Sequence, residues 1–195
     1  TMTTADLEAI ANRMVEGGRG ILAADESSGT ANKRLTSVNV DPTEDNRRDY
    51  REMLFRTPDL GKYISGTILY DETLRQNAAD GTPFTKLLAD QDIMPGIKVD
   101  TGAMVLAGSP NEKITEGLDG LRDRLNEYVE MGAKFTKWRA VITIGDGIPS
   151  GYCIKANAHA LARYARLVQE AGMVPIVEPE VLMDGSHSIE TCQEA

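Results

Sequence analysis

The sequence predicts an α/β fold of the TIM type, a (β/α)8 barrel of which about the first five strand–helix units are present. Segments with strand and helix patterns alternate along the chain, and this order predicts parallel strands joined by helical crossovers. Alternation alone also fits an open, doubly wound sheet, whose two faces are covered by helices and are mostly apolar. Charged pairs on three predicted strands favour the barrel, because the carboxyl ends of barrel strands surround an active site.

The members of each charged pair are spaced so that they share one face of a strand. In residues 135–144, FTKWRAVITI, Lys137 and Arg139 are two positions apart and point one way, whereas Trp138 points to the opposite face. Charges are seldom buried unless they are paired or functional, so repeated inward pairs predict the wall of a site. Two further predicted strands carry such pairs, Lys98 with Asp100 and Glu178 with Glu180.

The first half of the chain begins with an amphipathic pattern that Thr4 caps and two glycines end. An apolar run then leads into the polar turn DESSGT, a usual place for ligand-binding residues. In the charged helix that follows, we expect Tyr50, Met53 and Leu54 to face the core. The predicted elements of this half are helix 5–16, strand 20–24, helix 43–56, strand 64–70, helix 83–89 and strand 97–100.

The second half repeats one pattern twice: a helical stripe of apolar residues ends at a glycine, and a strand follows directly. The closing glycines, Gly132 and Gly172, are 40 residues apart, a length that suits one strand–helix repeat with its loops. The strands of this half are 135–144 and 173–181. Because the sequence stops at Ala195, within the expected fifth helix, we interpret residues 1–195 as a single domain, the N-terminal portion of a barrel whose C-terminal units are missing.

Composition and charge argue against several classes of function. The net charge is −9 and no basic run exceeds two residues, so nucleic acid and membrane are not expected partners. No apolar stretch approaches the roughly 20 residues of a membrane helix. Cys153 and Cys192 are predicted to be free thiols, and with no secretory leader in the sequence they predict a cytoplasmic location. Neither His159 nor His187 has metal-ligand spacing, so no metal site is predicted.

Taken one at a time, the candidate residues also have ordinary structural explanations. Asp25, at the end of a strand, is equally suited to cap the next helix. Lys33 and Arg34 alone fit an exposed helix surface, and Glu178 and Glu180 fit a strand end that turns into a loop. The functional interpretation therefore depends on the pairs occurring together.

Several motifs resemble class I fructose-bisphosphate aldolases, in the same order and at similar spacing. The motifs are LAADESSGT at 22–30, ANKRL at 31–35, GIKVDTG at 96–102, KWR at 137–139 and VPIVEPE at 174–180. The resemblance extends from about Leu7 to the end of the chain. It implies a lyase of glycolysis and gluconeogenesis that needs neither metal nor cofactor. The implied reaction is the reversible cleavage of fructose 1,6-bisphosphate to dihydroxyacetone phosphate and glyceraldehyde 3-phosphate.

The resemblance also implies a role for each candidate residue. Glu178 is similar to the acid/base that moves protons while a lysine Schiff base forms and hydrolyses. Glu180 and Lys137 resemble its charged neighbours, and Asp25 resembles the carboxylate that acts on the C4 hydroxyl. The residues similar to substrate contacts are Lys98 and Arg139 in the cleft, and Ser27, Lys33 and Arg34 near one phosphate.

In the family that these motifs resemble, the Schiff-base lysine belongs to strand six, beyond Ala195, so we expect this chain alone to be inactive. Thr101 and Thr143 stand where the family often has basic residues. We therefore expect the details of catalysis to differ, but not the type of reaction. The alternatives are a truncated, non-catalytic half-barrel that binds sugar phosphates, and another Schiff-base enzyme such as a transaldolase or deoxyribose-phosphate aldolase. The expected partners are a phosphorylated sugar and, as in the family, further copies of the chain in a tetramer.

Overall fold

The computed structural model describes residues 3–195, which contain a five-stranded parallel sheet and a separate hairpin. The parallel strands are β1 (Gly20–Ala24), β2 (Ile64–Leu69), β3 (Met94–Lys98), β6 (Phe135–Ile142) and β7 (Val174–Val181), and the hairpin is β4 (Gly102–Leu106) with β5 (Ser109–Glu116). The five parallel strands lie side by side in chain order. A doubly wound sheet reverses its strand order at a switch point, so this uninterrupted order indicates a barrel-type sheet.

Eight helices are described in this part of the chain: α1 (Thr4–Val15), α2 (Ser28–Ser37), α3 (Glu44–Phe55), α4 (Asp71–Arg75), α5 (Phe84–Ala89), α6 (Leu121–Glu130), α7 (Gly151–Glu170) and α8 (Ile189–Glu194). Side-chain caps explain several of their starts. Thr3, one residue before the predicted cap, forms a capping box with Asp6 at α1. Ser150 caps α7 by accepting a hydrogen bond from the backbone N–H of Cys153 at 3.1 Å.

The sheet is curled, as shown by a single helix that contacts strands at both edges of the sheet. Helix α1 contacts β1 and β2 at one end of the sheet and β7 at the other. Its Met14 joins a buried cluster with Ile68, Met94 and Phe135 on the inner face. Gly96 makes room for the Phe135 ring, since a Cβ at position 96 would lie 2.3 Å from it. Apolar side chains therefore fill the inner face toward the amino ends of β3 and β6.

The opposite face of the sheet packs against helices. Trp138 is fully buried there, and its ring centroid lies 5.3 Å from that of Tyr164 on α7. The Tyr164 hydroxyl donates to the Ile176 carbonyl at 3.0 Å and shares a 2.6 Å hydrogen bond with Thr136 Oγ1. These contacts fix α7 across β6 and β7, and they confirm the outward orientation predicted for Trp138.

Two predictions about individual elements are wrong. The third strand begins at Met94 and ends at Lys98, instead of spanning 97–100. On α3, Met53 is 62% exposed instead of facing the core, and the buried positions belong to Arg51 and Phe55. The apolar pattern predicted the wrong inward face of α3, because Arg51 is buried against polar partners beneath this helix.

The α/β class and the curled parallel sheet agree with the prediction, but the repeat is less regular. Helices α2 and α3 both follow β1, and α4 and α5 both follow β2. The unpredicted hairpin separates β3 from α6. Glu112 in the hairpin is buried and accepts hydrogen bonds from the Ser150 backbone N–H at 2.7 Å and from Ser150 Oγ at 2.6 Å. The hairpin is thereby tied to the start of α7, beside the carboxyl end of β6.

Candidate active site

A cavity of about 370 Å³ opens at the carboxyl ends of the parallel strands. This is the end at which barrel enzymes place their catalytic groups. The cavity is lined by eight of the nine predicted site residues, which are Asp25, Ser27, Arg34, Lys98, Lys137, Arg139, Glu178 and Glu180. The remaining one, Lys33, is exposed on α2 and does not line this cavity.

Lys137 lies between two carboxylates at the centre of the cavity. Its Nζ is 3.1 Å from Asp25 Oδ2 and 3.4 Å from Glu178 Oε1. Asp25 follows the end of β1, and Glu178 lies on β7, so the curl of the sheet brings them to one lysine. Burial disfavours the ammonium, but the charges and hydrogen bonds of Asp25 and Glu178 outweigh it and raise the pKa of Lys137. Lys137 is therefore a fixed cation between two carboxylates.

Asp25 is available to the cavity because another residue caps the helix that follows it. Ser27 is the N-cap of α2, and its Oγ accepts a hydrogen bond from the Thr30 backbone N–H at 3.4 Å. The alternative in which Asp25 serves as this cap is therefore wrong. The turn DESSGT thus separates the two tasks, with Ser27 starting the helix and Asp25 pairing with Lys137.

Two further ion pairs line the same wall. Arg139 Nε donates to the Glu180 carboxylate, and this hydrogen bond raises the pKa of Arg139 and lowers that of Glu180. Lys98 Nζ is 3.4 Å from Asp100 Oδ1. Asp100, buried just beyond β3, also accepts a hydrogen bond from the Arg139 backbone N–H at 3.3 Å. The three predicted charged pairs do share one wall, and each of their cations contacts a carboxylate.

Two residues of this region were missed by the sequence predictions. Glu26 lines the cavity, and its carboxylate pairs with Arg34 on one side and with Arg51 Nη2, at 3.2 Å, on the other. Glu26 had a detectable signal, since it directly follows Asp25 in the polar turn. Arg51 had none, because an arginine within a charged helix is expected to face solvent.

The family model described as fructose-bisphosphate aldolase class-I matches residues 6–195. The match includes every residue of the cavity wall. The chain belongs to the class I fructose-bisphosphate aldolase family. The family predicted from the sequence motifs is thereby confirmed.

Curated relatives of the chain extend well beyond the region that it matches. A protein from Xanthomonas campestris pv. campestris, named probable fructose-bisphosphate aldolase class 1, is 62% identical over 193 residues, which are 99% of this chain and 58% of the relative. The cytosolic fructose-bisphosphate aldolase 6 of Arabidopsis thaliana is 56% identical over 187 residues, 95% of this chain and 52% of the relative. The chain spans about half the length of the curated relatives it matches.

A solved structure of fructose-bisphosphate aldolase from Plasmodium falciparum has the same fold over nearly the whole chain. The TM-score is 0.94 and the sequence identity is 47%, over 96% of this chain and 55% of that one. This similarity fits a curled sheet that forms part of a TIM barrel.

The remaining features of the chain concern metals, thiols and membranes. Among residues 3–195, no group of three or more His, Cys, Asp or Glu side chains is arranged to hold a metal ion. Cys153 is buried, Cys192 is partly exposed, and both are free thiols, as predicted. Within the same described residues, no helix has the length and apolar character needed to cross a membrane.

Proposed function

We propose that the complete protein containing this chain cleaves fructose 1,6-bisphosphate reversibly to dihydroxyacetone phosphate and glyceraldehyde 3-phosphate through a lysine Schiff base. The observation that carries the proposal is the placement of Lys137 between Asp25 and Glu178, in the cavity of a chain from this aldolase family. The two carboxylates supply acid/base groups, and the lysine holds both at the carboxyl ends of the strands.

Glu178 and Asp25 divide the proton transfers between them. Glu178 is the more exposed, with 34% of its side chain accessible against 12% for Asp25, so it exchanges protons with bound substrate and water during Schiff-base formation and hydrolysis. Asp25 takes the proton of the C4 hydroxyl while the bond between C3 and C4 breaks and its electron pair passes into the iminium. Lys137 stays next to both groups and compensates the negative charge of whichever is ionised, supported by the Arg139–Glu180 pair.

The nucleophilic amine is proposed to come from a lysine outside residues 1–195, so that this chain alone is inactive. A Schiff-base lysine must lose its proton before it attacks a ketone. Lys137 is held as a cation by two carboxylates, which raises its pKa and makes it a poor nucleophile. Lys98 is likewise paired, with Asp100 at 3.4 Å. The next strand of the proposed (β/α)8 barrel, of which residues 1–195 supply the first five units, would bring a further lysine to this cavity.

The substrate phosphates and the oxygens of the sugar chain are proposed to bind to cations and hydroxyls of the wall. Ser27 and Arg34 line the cavity where β1 leads into α2, and they are proposed to bind one phosphate, with Lys33 contributing from the exposed face of α2. Lys98 and Arg139 face the cleft from β3 and β6 and are proposed to bind the rest of the substrate. This arrangement uses no metal ion and no cofactor.

Location and assembly belong to the same proposal. Relatives from Arabidopsis thaliana and spinach are named cytosolic or cytoplasmic aldolases, which supports a cytoplasmic glycolytic enzyme. A homotetramer is proposed for the complete protein, in keeping with the aldolase family. Sedimentation of the complete protein tests this assembly, since a tetramer and a monomer differ fourfold in mass.

The reaction is tested by the rate at which the complete protein releases triose phosphates from fructose 1,6-bisphosphate. We expect turnover in the presence of EDTA. Matched assays with 2-deoxyribose 5-phosphate and with a transaldolase substrate pair distinguish other Schiff-base enzymes, and preference for either would contradict the proposal. Binding of fructose 1,6-bisphosphate without turnover would instead identify a non-catalytic sugar-phosphate-binding protein.

A further inference from the structure

Arg51 is a buried arginine with no role in the proposed proton transfers or substrate contacts. Its side chain is 2% exposed, and it reaches from α3 to the turn between β1 and α2. Nε donates to the Ala24 carbonyl at 3.0 Å, and Nη2 donates to the Glu26 carbonyl at 3.0 Å and to Glu26 Oε2 at 3.2 Å. One guanidinium thus holds two backbone acceptors and one carboxylate.

The two carbonyls lie on either side of Asp25. The Ala24 carbonyl belongs to the peptide that precedes Asp25, and the Glu26 carbonyl belongs to the peptide that follows Glu26. Fixing both restricts the backbone torsions of Asp25 and hence the direction of its carboxylate. That direction matters because Asp25 Oδ2 contacts Lys137 at 3.1 Å in the cavity.

The Glu26 carboxylate links Arg51 to the proposed phosphate site. It accepts from buried Arg51 and from Arg34, whose side chain is 60% exposed and lines the cavity. An exposed arginine would sample many rotamers, and an enclosed carboxylate anchored from behind reduces that freedom. Because Arg51 fixes the Glu26 carboxylate, Glu26 in turn restricts the position of the Arg34 side chain.

Arginine is the side chain suited to this task. Its planar fork presents several N–H donors in fixed directions and keeps its charge when buried. A lysine at this position would offer one rotatable ammonium, which cannot hold three acceptors in the arginine geometry.

We propose that Arg51 is a positioning residue, which aligns Asp25 through the Ala24 and Glu26 carbonyls and Arg34 through the Glu26 carboxylate. This inference rests on the proposed aldolase function for its effect on catalysis. The alignment itself is a property of the structure and is testable without turnover.

The test compares Arg51→Lys with Arg48→Lys in the complete protein. Arg48 is a matched control, because it lies on the same helix, is partly exposed, and pairs with Asp45 and Asp49. Crystal structures of both variants give the Asp25–Lys137 distance. We expect it to exceed the roughly 4 Å limit of an ion pair in Arg51→Lys and to stay near the original value in Arg48→Lys. An unchanged distance in Arg51→Lys would overturn the inference, whether or not the protein is an aldolase.

Steady-state cleavage of fructose 1,6-bisphosphate supplies the second readout. A misplacement of about 1 Å lowers rates by roughly 100-fold, and we expect that loss in kcat/KM for Arg51→Lys, with no change for Arg48→Lys. Wild-type kinetics in a folded Arg51→Lys would overturn the inference, whereas an inactive wild-type protein would refute only the proposed function. Should Arg51→Lys fail to fold, Glu26→Gln tests the link from Arg51 to Arg34 through the Glu26 carboxylate. A KM raised about tenfold, as expected for a loosened phosphate site, would support this link. An unchanged KM would overturn it.

Discussion

Replacement of Lys137 by methionine removes the cation at the centre of the cavity while keeping a side chain of similar length. Asp25 and Glu178, which lie 3.1 and 3.4 Å from Nζ, would then face each other without compensation. Breaking a fully buried ion pair by removing one partner costs about 3–5 kcal/mol. Because 34% of the Glu178 side chain is exposed, water replaces part of the lost interaction. We therefore expect the free energy of unfolding to fall by about 2–3 kcal/mol.

The same change is expected to lower kcat for fructose 1,6-bisphosphate cleavage by about 10²–10⁴-fold, the range for a disrupted acid/base group. Lys134→Met is the matched control, since Lys134 is exposed immediately before the same strand. Urea unfolding and cleavage rates of both variants, in the complete protein, give the two quantities. Equal stability of the two variants, or near-normal turnover in Lys137→Met, would refute the central role of this lysine.

The pH dependence of this effect has a definite sign. A raised pKa in the folded state means that Lys137 contributes its stability fully below the ordinary value of 10.5 and loses it as the pH rises through the folded pKa. The stability difference between wild type and Lys137→Met should accordingly be constant from pH 7 to about 9.5 and shrink in more alkaline solution. Urea unfolding at a series of pH values measures it, and a difference that grows above pH 10.5 would contradict the assignment.

Three further predictions concern single residues. Glu178→Gln should lower kcat at least about 100-fold, and near-normal cleavage rates would remove its assigned role. Burial alone would raise the pKa of Glu112, but hydrogen bonds led by those from Ser150 outweigh it and hold the pKa below its ordinary value of 4.5. The stability lost in Glu112→Gln should therefore be seen above pH 4.5 in urea titrations and vanish in more acidic solution. A pH-independent loss would argue against this role of the hydrogen bonds. Gly96→Ala places a Cβ 2.3 Å from Phe135, so we expect about 1–3 kcal/mol of destabilisation; an unchanged urea midpoint would show that the ring moves freely.

The charged wall of the cavity was predictable because strand geometry is simple. Side chains two apart share a face, so Lys137 and Arg139 had to point together and Trp138 had to point away. The parallel arrangement then placed the ends of three strands along one rim. The pairing partners were not predictable, because the contact of Lys137 with Asp25 depends on the curl of the sheet.

The parts that were missed depend on contacts between distant segments. The β4–β5 hairpin is held by Glu112, whose partner Ser150 is 38 residues away and shows no local pattern. The inward face of α3 was misplaced because Met53 is apolar and exposed, whereas Arg51 is charged and buried. Local hydrophobicity favours the first residue for the core, whereas two carbonyls and the Glu26 carboxylate beneath the helix explain the burial of the second.

A lysine outside residues 1–195 is proposed to form a Schiff base in the cavity built around Lys137. The direct measurement is borohydride reduction of the complete protein in the presence of dihydroxyacetone phosphate, followed by intact mass and peptide mapping. We predict one reduced adduct per chain, located on a lysine that follows Ala195. An adduct on Lys98 or Lys137, or none at all, would contradict the claim.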